Sequence, residues 1–184
     1  IYNVVYQMLL IILPLITAPY IARTLGAEGV GIYSYTYSVA QYFLLFAMLG
    51  ISNHGNRSIA AVREDDCKLS RTFWSIYSIQ AFMYVLAIIA YLIYLFAFNV
   101  DNKTIVAIQF IYVVSGALDI SWYFFGTEQF KITVTRNMII KIATVILMFI
   151  FVHNPGDLAK YTVIMAGGTF LSQAYLQVSD HSRL

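Results

Sequence analysis

The sequence predicts an all-α membrane protein with about six transmembrane helices, and two observations carry that prediction. Hydrophobic residues make up 60% of the 184-residue chain and charged residues only 11%, and the mean hydropathy is +0.74. The charges also fall in short clusters. Between the clusters run apolar segments close to the ~20 residues a helix needs to cross the hydrocarbon core.

The segments follow in order, roughly 1–22, 32–51, 73–98, 104–125, 133–152 and 161–178, with 179–184 left as a polar tail. The first contains Pro14 and Pro19, which remove backbone donors and are expected to kink or loosen it. It lacks a basic leading region and a small-residue cleavage site, so it is expected to be a retained helix and not a signal peptide. Gly26, Gly29 and Gly31 then form a turn. A phosphate-cradling Walker loop would need a Lys-Ser/Thr pair, which this stretch lacks, so a tight membrane hairpin is expected. The fifth segment reaches spanning length only if it starts near Thr133, and the sixth is borderline in length but apolar enough to count.

Charge sets the expected orientation. The connection 54–72 carries Arg57, Arg63, Lys68 and Arg71, and the connection 126–137 carries Lys131 and Arg136. The alternate connections hold the single cations Arg23, Lys103 and Lys160. Short loops rich in Lys and Arg stay cytoplasmic, so both termini are expected inside. The net charge of +2 belongs to those loops. No basic patch interleaved with aromatics suggests a nucleic-acid partner. The single cysteine, Cys67, permits no internal disulfide.

Polar residues at helical spacing mark faces turned away from lipid. Such stripes comprise Asn3, Gln7, Pro14 and Thr17 in the first segment, and Ser34, Tyr37, Ser38 and Gln41 in the second. Tyr77, Gln80, Tyr84 and Tyr91 form one in the third, and Thr162, Thr169 and Gln173, with Ala166, form one in the sixth. Any one stripe is explained by hydrogen bonding between helices. Their recurrence favours a shared polar interior. Asp119 is the sharpest single residue, a carboxylate within the fourth segment flanked by Ser115, Gly116, Trp122 and Tyr123. Two readings compete for it: a functional carboxylate inside the membrane, or an interfacial one paired with Arg136 or Lys141. Trp122 and Tyr123 suit an interfacial aromatic belt. His54, His153 and His181 lie on different connections without metal-ligand spacing, and no nucleophile elbow or paired-Asp motif suggests an enzyme or a bound cofactor.

Three blocks carry a resemblance. Pro19–Ser34 (Pro-Tyr-Ile-Ala-Arg-Thr-Leu-Gly-Ala-Glu-Gly-Val-Gly-Ile-Tyr-Ser) is the first. Leu49-Gly50-Ile51 with Gly55-Asn56-Arg57 and Ile59-Ala60 is the second, and Leu118–Lys131 followed by Arg136-Asn137 is the third. Together they resemble the Wzx-type oligosaccharide flippases of the multidrug/oligosaccharidyl-lipid/polysaccharide exporter superfamily. The resemblance implies two helical lobes around a central cavity in the bacterial cytoplasmic membrane. It implies translocation of undecaprenyl-diphosphate-linked oligosaccharide units for O-antigen or capsule synthesis, by alternating access. The lipid-linked oligosaccharide, membrane lipids and polysaccharide polymerase machinery are the implied partners. Arg23, Arg57, Arg136 and Lys141 are then candidate diphosphate contacts, and Tyr37, Gln41, Gln80, Asp119 and Trp122 candidate cavity contacts. Asp119 and Glu128 are candidates for ion coupling, from their position alone. Members of the family have two related halves, so this chain is expected to be the N-terminal lobe, a fragment that cannot flip substrate alone. The competing expectations are a drug or small-metabolite exporter of the same superfamily, a membrane sugar-modifying enzyme, and the remnant of a disrupted reading frame.

Overall fold

The computed structural model describes the backbone of residues 2–98 and 101–180, with side chains except those of residues 2–7, 9, 10, 130–132 and 178–180. Every regular element among the described residues is helical. Helix α1 (Tyr2–Ala47) is two arms joined at Gly26, whose φ of 71° and ψ of 175° lie outside the helical region. It is followed by α2 (Ile51–Val62), α3 (Asp66–Ala97), α4 (Lys103–Ala117), α5 (Ser121–Gly126) and α6 (Phe130–Phe151). A 3₁₀ turn (Pro155–Asp157) leads into α7 (Leu158–Asp180). Three described stretches are long and apolar enough to cross a bilayer: Asp66–Ala97, Lys103–Gly126 and Thr133–Phe151. The chain is therefore an all-helical, multi-pass membrane protein.

Helix α4 packs against α1, α3 and α7; α6 pairs with α7, and α2 lies over α3 and α5. Helix α3 shows why these residues suit a bilayer. Its buried face is Phe73, Ile76, Gln80, Tyr84, Ala87 and Tyr91, at helical spacing. Its exposed face carries Ile79, Phe82, Met83, Val85, Leu86, Ile89 and Ile93. In water so large an apolar patch drives association, whereas lipid tails cover it without penalty. The polar atoms go inside, where other helices satisfy them.

The turn between the first two segments needs one glycine. Only Gly26 leaves helical dihedrals there, at a combination of angles that L side chains rarely adopt. Gly29 and Gly31 are part of the second arm, which runs from 27 to 47 in place of the expected 32–51. The backbone also stays helical through Pro14 and Pro19. Each proline removes one bond of the ladder, and in lipid no water competes for the rest. Asn3 and Gln7 of the expected first stripe lie outside the described side chains, as does Lys131.

The basic connection 54–72 is not an open loop. Gly50, at φ 76° and ψ −16°, turns the chain into α2, which buries Ile51, Gly55 and Ile59, four residues apart. Asp65 then accepts a hydrogen bond from the Lys68 amide at 3.1 Å and starts α3 seven residues before Phe73. At 32 residues, α3 is about 48 Å long, well beyond the ~30 Å hydrocarbon core, so its first turns carry charge outside the lipid. The fourth segment, expected unbroken over 104–125, is interrupted at Leu118–Ile120 between α4 and α5. The 3₁₀ turn that leads into α7 opens where Asn154 and Asp157 cap each other in a reciprocal box, so the expected start at 161 moves back to Leu158. The expected polar tail overlaps α7, whose backbone continues to Asp180; residues 181–184 lie outside the described ones.

The elements α2, α5 and the start of α3 lock together around Trp122. Its ring stacks on Phe73 with centroids 5.6 Å apart, and Ile51, Ile59, Ile76, Ile120, Tyr123, Phe124 and Leu176 complete the cluster. Helix α2 comes this close because Gly55 has no side chain: a Cβ there would sit 2.6 Å from a Trp122 ring carbon. At Gly126 a Cβ would sit 2.7 Å from Ile59. Gly55→Val is expected to destabilise the chain by about 1–3 kcal/mol through overpacking. Gly31→Ala, which meets open space, serves as the control. Thermal unfolding in detergent checks both, and equal melting of the two variants would contradict this packing.

Asp157 gives a pH dependence. The Lys160 ammonium 2.7 Å away and the backbone amides of His153 and Asn154, at 3.0 and 3.1 Å, hold its carboxyl down at about 2. A carboxyl lowered on folding stabilises the native state above its unfolded value of ~4, and that contribution is lost as pH falls toward 2. Wild-type melting should therefore decline between about pH 4 and 2 more steeply than that of Asp157→Asn, with no difference in slope between pH 6 and 8.

Candidate functional site

Two polar clusters lie inside the bundle, and a third joins α6 to α7. The first occupies the break in the fourth span. As α4 ends, the Leu118 and Asp119 amides donate to the carbonyls of Ser115 and Gly116, each at 3.1 Å, which tightens the last turn. The Asp119 carbonyl accepts from Gln80 Nε2 at 2.8 Å. Gln80 Oε1 accepts from Trp122 Nε1 at 2.8 Å, and Asp119 Oδ1 accepts from the Ser121 amide at 2.9 Å to open α5. The last contact is an Asx turn, the usual way a short carboxylate redirects a chain. Gln80 and Trp122 are both buried in this packing, so Trp122 belongs to the core and not to an interfacial belt. Asp119 is half-buried beside them.

The second cluster links the second arm of α1 to α4 and α7. Tyr37 Oη and Tyr112 Oη are 2.9 Å apart. Gln41 Nε2 donates to Tyr37 Oη at 2.6 Å and to Tyr112 Oη at 2.8 Å. Tyr33 stacks on Tyr37 at 5.7 Å and meets Tyr161 edge-on at 4.8 Å. Of the stripe expected in this arm, Tyr37 and Gln41 point into the bundle. Ser34 and Ser38 lie on the exposed side, with Ser38 donating back to the Ser34 carbonyl at 2.7 Å.

In the third cluster Arg136, only 5% exposed, clamps α6 to α7. Its Nη1 donates to the Ser172 carbonyl at 2.8 Å and to Gln173 Oε1 at 3.4 Å, and its Nη2 donates to Asn137 Oδ1 at 2.8 Å. Planar guanidinium suits such a multidentate role better than an ammonium.

The remaining cations are not brought together. Arg57 is exposed on α2. Arg23 is exposed three residues before Gly26, at the other end of the bundle, where Tyr20 Oη donates to the Val152 carbonyl at 2.6 Å. Lys141 is exposed in the middle of α6. Glu128 forms an ion pair with Arg63 that ties the end of α5 to the end of α2. Its side chain is 65% exposed, so it sits in solvent and not in the bundle interior.

Sequence reasoning passed over Tyr112, Tyr161 and Gln109. Gln109 is 1% exposed, and its Nε2 has no hydrogen-bond partner among the described residues. It lies on the buried face of α4 with Ile105, Val106, Val113, Ser115 and Gly116. The spacing of Gln109, Tyr112, Ser115 and Gly116 is itself helical, so the signal was present in the sequence.

A helical bundle with an apolar exterior and hydrogen-bonded polar clusters within defines a multi-pass membrane protein. The family model described as "Polysaccharide biosynthesis protein" matches residues 1–179, and the chain belongs to that family. It is 28% identical over 165 residues to an Escherichia coli (strain K12) protein described as "Putative O-antigen transporter". That match covers 86% of this chain and 39% of the relative, so the chain spans about two fifths of the relative's length. No solved structure matches the chain.

The break in the fourth span yields a direct test. Gln80→Leu leaves the Trp122 indole N–H and the Asp119 carbonyl without their partner, at about 1–3 kcal/mol for each group. Trp122→Phe removes one donor and leaves Gln80 Oε1 unpaired. The double variant should cost less than the sum of the two single ones, and additive losses in thermal unfolding would show that the pair does not interact.

Proposed function

We propose that this chain forms one helical lobe of a flippase for undecaprenyl-diphosphate-linked oligosaccharide repeat units, which it helps carry from the inner to the outer leaflet of the bacterial cytoplasmic membrane. Membership of the polysaccharide biosynthesis family supports the substrate class. The geometric observation that carries the reading is the Tyr37–Gln41–Tyr112 cluster, a hydroxyl- and amide-rich surface inside an otherwise lipid-covered bundle. A sugar cannot shed its hydration in hydrocarbon unless hydrogen-bonding groups replace the water. Tyrosine suits that purpose, because its hydroxyl both donates and accepts while its ring offers a face to a sugar plane.

The basic end bearing α2 faces the cytoplasm in this reading, which puts both ends of the chain inside. Arg57 then meets the diphosphate where it enters and Arg23 meets it at the opposite end, as charge-assisted contacts. Arg136 holds α6 and α7 in register, and Gln80 with Trp122 fixes the wall. Lys141, exposed in mid-helix, is assigned to the lobe's contact with its surroundings. Asp119, half-buried within the bundle, is the carboxylate we assign to ion coupling. Alternating access is rocking of this lobe against a second one, and released units pass to polysaccharide polymerase machinery.

The test uses cells deleted for their own flippase and supplied with this chain in its full reading frame. Surface polysaccharide should return and lipid-linked sugar should leave the inner leaflet. Arg57→Ala and Gln41→Leu should each lower that restoration roughly tenfold, the size expected for one lost charge-assisted or paired hydrogen bond. Unchanged transport in Asp119→Asn would remove that residue from ion coupling. Drug resistance without any polysaccharide rescue would favour a small-molecule exporter instead.

A further inference from the structure

The corner between α2 and α3 holds a cleft that the transport reading does not use. Its volume is about 260 Å³, and its lining is His54, Ser58, Arg71, Thr72, Ser75 and Ile76. His54 and Ser58 lie one turn apart on α2, with Nε2 and Oγ 3.4 Å from each other. Arg71, Thr72 and Ser75 project from the opening turns of α3. Beside Ile76, the lining is thus one guanidinium, one imidazole and three hydroxyls, and no carboxylate is among them.

That composition separates it from its neighbours. Two other clefts at this end are lined in part by Glu64, Asp66 and Glu128, and by Glu64 and Asp65. Their cations are already committed, Arg63 to Glu128 and Lys68 to Asp65. Arg71 has no ion pair among the described residues and retains its guanidinium for an outside anion. A guanidinium, an imidazole and hydroxyls lining one cleft without a carboxylate among them are suited to phosphate oxygens, which accept several short charge-assisted bonds at once.

The setting identifies the source of the phosphate. Trp74, adjacent to the cleft in sequence, is 51% exposed, the placement of an interfacial aromatic. Beyond it, the outer face of α3 presents Ile79, Phe82, Met83 and Leu86, all exposed. Polar donors at the membrane surface thus adjoin an apolar track running into the hydrocarbon. Basic pockets between helices at that level are how membrane proteins hold anionic headgroups.

We propose that this corner binds the phosphate headgroup of an anionic glycerophospholipid, with its acyl chains along the exposed face of α3. The inference is independent of what the bundle transports. Native mass spectrometry of the purified chain, released from micelles containing phosphatidylglycerol or phosphatidylcholine, tests it. One phosphatidylglycerol should stay bound per chain while phosphatidylcholine is lost. The His54→Gln/Arg71→Gln variant, folded by circular dichroism, should retain phosphatidylglycerol roughly tenfold less well. Lys103→Gln, at the far end of the bundle, should behave as wild type. Equal retention of the two lipids, or undiminished retention by the double variant, overturns the proposal. Displacement of the lipid by millimolar inorganic phosphate at low lipid occupancy would show a soluble-anion site and likewise overturn it.

Discussion

A span that breaks inside a membrane exposes backbone groups that lipid cannot satisfy, and in this chain the Gln80 side chain meets that demand. It stands 39 residues away in sequence from the Asp119 carbonyl it binds and accepts the Trp122 indole with its other amide atom. Both ends of one side chain are thereby used, which is the condition for burying an amide without penalty. The tightened bonds from Leu118 and Asp119 and the Asx turn at Ser121 complete the redirection. Once the chain is redirected, α5 lies where α2 can reach it.

That contact organises the basic end of the bundle. Trp122 fills the space Gly55 leaves open, and Gly126 admits Ile59. The same two helices are tied at their ends by Arg63 and Glu128. The ion pair is exposed and contributes little energy alone. Its position matters more, because it fixes the relative placement of two short helices that the apolar cluster already holds. The hydrophobic effect does not assemble the remainder of the bundle, since lipid solvates an apolar surface as well as another helix does. Close packing and interior hydrogen bonds do that instead, which is why polar residues lie on the buried faces of α3 and α4.

The helical class, the apolar segments and the inward polar stripes were legible because each depends on local composition and spacing. Gln80, Tyr84 and Tyr91 fall on one face of any helix built from that sequence, and the structure buries all three. Tyr37 and Gln41 were legible for the same reason. Their partner Tyr112, 75 and 71 residues away, was not, since nothing local specifies which helix lies opposite. The break at Leu118–Ile120 was hidden because it contains no proline, and the Gln80 that satisfies its freed carbonyl lies 39 residues away. Trp122 resembled a belt residue because the space that receives it is created by Gly55. Helix α2 was hidden in a polar stretch, yet Ile51, Gly55 and Ile59 at intervals of four carry its signal. The three glycines after the first segment looked alike in sequence, and only the backbone angles distinguish Gly26 as the turn.

The interior polar groups divide by how firmly they are committed. Gln80 is engaged at both amide atoms, and Arg136 spans a backbone carbonyl and two side-chain amides. Withdrawing either strands a buried donor or acceptor, so these residues behave as frame. The Tyr37, Gln41 and Tyr112 contacts are different in kind. A phenol hydroxyl can rotate from donating to accepting, and each of the three groups keeps further hydrogen-bonding capacity while half-exposed. A hydroxyl of a passing ligand can replace one member of that triangle at little net cost, because one hydrogen bond is exchanged for another of the same kind. A translocation path needs contacts that form and release on this scale, and a charged clamp buried at membrane depth cannot supply them. Under the proposed function, the requirements of transport therefore fall on the tyrosine cluster, and those of architecture fall on the glutamine and the arginine.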